Sequence, residues 1–106
     1  MENNCDPTYG LVDEILELLT KSKSLHILLV LYRKKDPIRF SKIKKLVDSS
    51  STTVSRRLKE LEAYGLVSKN GLGGDSNMYE YSITEEGLSL SPIMQSLFDW
   101  VADRVQ

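Results

Sequence analysis

The stretch Ser49–Val67 reads Ser-Ser-Ser-Thr-Thr-Val-Ser-Arg-Arg-Leu-Lys-Glu-Leu-Glu-Ala-Tyr-Gly-Leu-Val. Val54, Leu58 and Leu61 recur at i, i+4 and i+7, the spacing that lines one face of an α-helix. Ser50 or Ser51 can accept from the free backbone N–H groups of the first turn, and Gly65 can take the left-handed conformation that closes a helix after Tyr64. A helix over 51–64 follows. At about 100° per residue from Val54, Thr52, Arg56 and Lys59 fall well away from the apolar stripe, with Thr53 and Ser55 on its shoulders. That face suits the major groove of DNA, where arginine meets guanine edges or phosphates and threonine meets a thymine methyl or a phosphate. It equally suits a solvated amphipathic helix, because polar outer faces are the rule at protein surfaces.

What lies upstream separates these alternatives. Phe40, Ile43, Leu46 and Val47 are spaced for a short helix over 40–47 whose outer positions carry Lys42, Lys44 and Lys45. A serine-rich turn of a few residues joins it to the 51–64 helix. Two short helices joined this tightly, the second polar outward, make a helix-turn-helix.

Charge supports the same face. The net charge of −1 is unevenly distributed: residues 1–32 carry −3, residues 33–69 carry +7, and the remainder carries −5. The middle block holds eleven Lys and Arg, Arg39 among them, against Asp36, Asp48, Glu60 and Glu62. Concentrated positive charge is what attraction to phosphate requires.

Working outward, Leu11, Val12, Ile15, Leu16, Leu18 and Leu19 form an apolar stripe opposite Asp13, Glu14 and Glu17, a first helix over 10–20 behind a flexible tail, 1–9. Leu25–Tyr32 is nearly continuously apolar and makes a buried helix over 24–34. Pro37 then turns the chain. Downstream, Leu66–Lys69 and Met78–Ile83 read as strands of a wing hairpin over 66–83, linked by the glycine-rich Asn70–Asn77. That link lacks the Gly-Lys-Ser/Thr ending of a nucleotide-binding loop and no helix follows it. Thr84 caps a final helical region, 85–105, that Pro92 is expected to kink or divide. Its Ile93, Met94, Leu97, Phe98, Trp100, Val101 and Val105 cover much of the circumference. Surplus apolar surface of this kind marks an interface. Leu11, Ile15, Ile93, Leu97, Phe98, Trp100, Val101 and Val105 are therefore expected to form a homodimer contact, the alternative being that the last helix lies against the first.

At 106 residues the chain has room for one domain with a modest core. The expected class is mostly α with a small β-hairpin, a winged helix-turn-helix with terminal helices at the dimer face. No apolar run is long enough to span a membrane and no secretory leader opens the chain, so a cytoplasmic location is expected. One cysteine, Cys5, excludes an internal disulfide framework, and His26 adds too few ligands for zinc. His26 is expected to be packed or partly buried. No nucleophile with its base, carboxylate pair or metal spacing points to an enzyme, and no cofactor is implied.

The element order and particular residues carry a resemblance. Arg39 and Phe40; Val54, Ser55, Arg57, Leu58, Lys59, Glu60, Leu61, Glu62, Gly65, Leu66 and Val67; then Tyr81, Ser82, Ile83, Thr84, Gly87 and Trp100 resemble the HxlR-type winged helix-turn-helix regulators. The similarity runs from about Leu18 to the C-terminus. It implies a dimeric transcription factor on a palindromic duplex operator, with recognition helices in two successive major grooves and wings near the flanking minor grooves. On this basis Ser51, Thr52, Thr53, Ser55, Arg56, Arg57 and Lys59, with Arg39, Lys42, Lys44 and Lys45, are the expected DNA-binding residues. Three departures stand out. Ser24 replaces a frequent tryptophan after the lysine that opens the second helix. Asn70–Asn77 carries no basic residue. Cys5 precedes Asp6 before Pro7, where some members place a cysteine directly before proline to sense oxidants or electrophiles. Cys5 is a candidate oxidant sensor, although Asp6 and Glu2 beside it disfavour the thiolate. A small-molecule or oxidant effector is compatible with the resemblance. The competing function is a winged helix used for protein contact within a larger assembly.

Overall fold

The computed structural model describes residues 6–71 and 79–105. Helix α1 spans Pro7–Leu19. It begins four residues before the first position of the apolar period, Leu11, and three before the expected bound at 10. Asp6 caps it, its side chain accepting from the Thr8 N–H at 2.9 Å, and Pro7 supplies the fixed φ that suits a first helical position.

Helix α2, Ser24–Lys34, is bracketed by two left-handed residues, Lys23 (φ 71°) and Lys35 (φ 64°). The chain therefore turns sharply at both ends of an element whose Ile27, Leu28, Leu29 and Leu31 are buried. A short strand β1, Ile38–Arg39, leads into α3, Phe40–Val47. Helix α4, Ser51–Ala63, has Ser50 as its N-cap, with Oγ accepting from the Thr53 N–H at 3.2 Å. It ends in a Schellman motif. Gly65 at φ 86° lets its own N–H reach the Glu62 carbonyl (3.0 Å) and the Leu66 N–H reach that of Leu61 (3.0 Å).

Strands β2, Val67–Gly71, and β3, Tyr79–Ile83, pair antiparallel, with Val67 opposite Ile83 and Lys69 opposite Tyr81. The wing is more than a hairpin. Strand β1 pairs with the other edge of β3, Ile38 opposite Tyr81, to give a three-stranded sheet in the order β1-β3-β2. Most of the glycine-rich link lies outside the described residues.

Helix α5, Glu85–Ala102, runs as one helix through Pro92, which neither ends nor divides it. Gly87 and Ser91 before the proline are buried and Met94 after it packs on the core, so tertiary contact holds both halves. Thr84 caps α5 as expected, accepting from the Gly87 N–H at 3.1 Å and donating to the Gly65 carbonyl at 2.6 Å. One cap thus ties the start of α5 to the end of α4.

The core lies where α2, α3, α4 and the sheet meet: Ile27, Leu28, Leu31, Ile43, Val47, Val54, Leu58, Leu61, Val67 and Tyr81 form one buried cluster. Only Leu18 and Leu19 of α1 are buried.

Candidate nucleic-acid interface

Because Val54, Leu58 and Leu61 are pinned in the core, the opposite side of α4 must face solvent. Ser51, Thr52, Ser55, Arg56 and Lys59 line an open depression of approximately 660 Å³ with Phe40 at its edge. The structure thereby brings together five of the expected α4 residues. Thr53 is set apart. It is half-buried, donates its N–H to Ser50 Oγ and accepts from the same hydroxyl at 3.2 Å, so it serves the helix cap.

A second recess of approximately 490 Å³ adjoins α3, lined by Lys34, Arg39, Ser41 and Lys42 together with Asp36, Pro37, Ile38 and Glu80. Lys44 and Lys45 stand exposed in the last turn of α3. The basic block of the sequence thus places exposed cations on α3, β1 and α4. Among the described residues the ion pairs are Lys21–Glu60 and Arg57–Glu60, and neither uses Arg56, Lys59 or the α3 lysines.

Arg57 is set apart from the other expected α4 residues: its side chain is only 12% exposed and points toward the turn between α1 and α2. Its Nε donates to the Ser22 carbonyl at 3.1 Å and its Nη1 donates to Glu60 Oε1. Partial burial raises the Glu60 carboxyl pKa, but the hydrogen bonds and charges of Arg57 and Lys21 outweigh it and hold the group below its ordinary value. Arg57 joined the expected set through the resemblance; the turn that meets it is a tertiary fact.

Lys69 is a cation that sequence reasoning passed over. It sits exposed on β2 with Nζ 4.0 Å from the ring centroid of Tyr79 on β3. The signal was present in the pairing, since Tyr79 lies diagonally across the ladder from Lys69. The base of the wing therefore carries a cation even though Asn70–Asn77 has no basic residue.

Leu11, Ile93, Leu97, Phe98, Trp100, Val101 and Val105 are exposed. Ile15 differs: it is partly buried and packs against the chain's own core. The α5 helix lies on α2, where Arg33 stacks over Phe98 at 4.6 Å and its Nε donates to Gln95 Oε1 at 2.9 Å. His26 corrects another expectation. It is exposed, beside Leu25, Leu29, Arg33 and Phe98, and its pKa is lowered by loss of water on one side of the ring and then by the charges of Lys23 and Arg33. Cys5 lies outside the described residues. Among the described residues no group of three His, Cys, Asp or Glu side chains is placed to hold a metal ion, and no helix is long and apolar enough to cross a membrane.

Comparison with known proteins agrees with this geometry. The HxlR-like helix-turn-helix family matches residues 18–106. An HTH-type transcriptional regulator of Halalkalibacterium halodurans is 35% identical over 75 residues, covering 70% of this chain and 66% of that protein. The chain spans 55% to 66% of the length of that relative and of two from Bacillus subtilis. Among solved structures, a possible HxlR family transcriptional factor from Thermoplasma volcanium superposes with a TM-score of 0.73 at 25% identity, covering 98% of this chain and 87% of that one. The reduced form of the transcriptional regulator YodB from B. subtilis gives 0.71 at 30% identity, covering 88% and 89%.

Proposed function

The chain belongs to the HxlR-like helix-turn-helix family, and from that premise we propose that it is a transcriptional regulator that binds specific duplex DNA sequences as a homodimer in the cytoplasm. The observation that carries this reading is the solvent face of α4, where Ser51, Thr52, Ser55, Arg56 and Lys59 share one open depression beside the α3 cations. Its relatives' designation as transcriptional regulators supports the same conclusion. In this reading α4 enters the major groove, Arg56 and the hydroxyl residues meet base edges, and Lys59, Arg39, Lys42, Lys44 and Lys45 neutralise phosphates. Lys69 adds a cation at the base of the wing.

The second copy is held by the apolar residues of α5 and the exposed side of α1. Two-fold symmetry then places two inverted half-sites about ten base pairs apart.

Salt-dependent titrations of selected and random duplexes test the assignment. Arg56→Ala lowers affinity for the selected sequence more than for random duplex, by about 1–3 kcal/mol. Lys42→Ala or Lys44→Ala weakens binding to both and reduces the slope of log affinity against log salt by about one each. Equal binding of selected and random duplexes by the unaltered protein contradicts the proposal.

A further inference from the structure

The assignment of the α4 solvent face leaves Arg57 without a part in it, although Arg57 is held by more than one element. Its guanidinium is a fork. One prong, Nε, donates to the backbone carbonyl of Ser22 at 3.1 Å, and another, Nη1, donates to Glu60 Oε1 one turn further along α4. The second Glu60 oxygen, Oε2, accepts from Lys21 Nζ at 3.3 Å. Two residues of α4 are thereby tied at two points to Lys21 and Ser22, which occupy the turn between α1 and α2. That turn is itself fixed by the left-handed backbone of Lys23 and by the Ser24 N–H bonding the Lys21 carbonyl at 3.0 Å.

The position of this cluster gives it a consequence. Helix α1 buries little besides Leu18 and Leu19, and Tyr9, Leu11, Val12 and Leu16 stay exposed. Apolar contacts alone leave its direction weakly determined, because they are not directional. A forked, charge-assisted hydrogen bond is directional. We propose that Arg57, with Glu60 and Lys21, is a positioning clamp that fixes the angle between the recognition helix and the α1 end of the dimer face, and so sets the spacing at which two half-sites are read.

This rests on the DNA-binding homodimer proposed above. Arg57 acts through α4 and does not itself touch DNA. Its loss leaves the number of phosphate contacts unchanged and loosens the register between the two recognition helices. Lysine cannot replace it, since a single ammonium on a flexible stem does not span the Ser22 carbonyl and the Glu60 carboxylate as a planar fork does.

The test uses duplexes carrying one half-site, or two inverted half-sites separated by spacers that differ by one base pair, with the full chain as Arg57→Lys, Arg57→Ala and Lys21→Ala. The unaltered protein is expected to prefer one spacer over its neighbours. In Arg57→Lys that preference falls about fivefold to tenfold, while single-half-site affinity, the salt slope and the far-ultraviolet circular dichroism stay as they were. Lys21→Ala moves the profile in the same direction by less, because its contact is more exposed; should Arg57→Ala not fold, these two variants decide. A folded Arg57→Lys or Lys21→Ala protein with the original spacer profile overturns the clamp. So does a salt slope lowered by about one in Arg57→Ala, which would make Arg57 a phosphate contact. Indifference of the unaltered protein to sequence overturns instead the DNA reading beneath it, before any variant is compared.

Discussion

Helices α4 and α5 both carry runs of apolar side chains, yet Val54, Leu58 and Leu61 on α4 are essentially inaccessible whereas Ile93, Leu97, Phe98, Trp100 and Val101 on α5 are each about half exposed or more. The difference lies in the width of the stripe. On α4 three positions at i, i+4 and i+7 fit the groove left by α2 and α3, and every other position but the terminal Ala63 is polar. On α5 the apolar residues reach round most of the helix, but the strip that packs on the core runs through Gly87, Leu90, Ser91 and Met94, with Gln95 and Phe98 reaching Arg33 of α2 at its margin. A narrow stripe is satisfied inside one protomer. A broad one leaves surface over, and that remainder is the ground for placing the second copy there.

The largest test of this contrast compares truncations of one residue type. Leu58→Ala removes a fully buried side chain and is expected to cost about 2–5 kcal/mol in urea unfolding. Leu97→Ala on α5 is expected to cost the separated protomer under about 1 kcal/mol. Equal losses in the two would break the distinction between the helices. Next in size, Leu97→Glu places a charge on the exposed strip; sedimentation velocity is expected to shift from dimer to monomer with circular dichroism unchanged. A dimer that persists at micromolar concentration would move the interface elsewhere.

A smaller effect separates the polar flank of α4 from its apolar one. The folded-state pKa of Glu60 lies below its ordinary value of 4.5, so the stability it lends is present above that value and is lost as pH falls through the folded one. Unfolding measured across acid pH should therefore decline more steeply for the unaltered protein than for Glu60→Gln. Parallel curves would show that the clamp is formed by Arg57 and Ser22 without the carboxylate. The smallest effect belongs to Ser24, whose buried hydroxyl has no hydrogen-bond partner among the described residues. Ser24→Ala sacrifices no bond there and should change stability by less than about 0.5 kcal/mol. A larger loss would mean that the hydroxyl packs or bonds in a way this account omits.

Much of this was legible in the sequence where local chemistry decides. Ser50, Gly65 and Thr84 act at helix ends through bonds to near neighbours, so the caps of α4 and the start of α5 could be read from composition and spacing. Strand β1 could not. Two residues, Ile38 and Arg39, carry no period, and they form a strand only because β3 has a free edge beside them. The start of α1 was missed although Asp6-Pro7 announces it, because the apolar period begins four residues later. Pro92 was expected to break α5, but packing on both sides overrides a propensity. For the candidate interface, the wheel sets Arg56 away from the core, whereas Arg57 is included only by resemblance, and no local pattern shows which loop approaches it. Lys69 needed the strand register, which pattern alone does not supply.

The central claim is that α4 reads duplex DNA in two copies related by symmetry. Selection of bound duplexes from a random pool by the unaltered full chain, followed by sequencing, tests it most directly. An enriched inverted repeat with half-site centres about ten base pairs apart is expected. A bound pool as random as the input, or a single unrepeated motif, would contradict it.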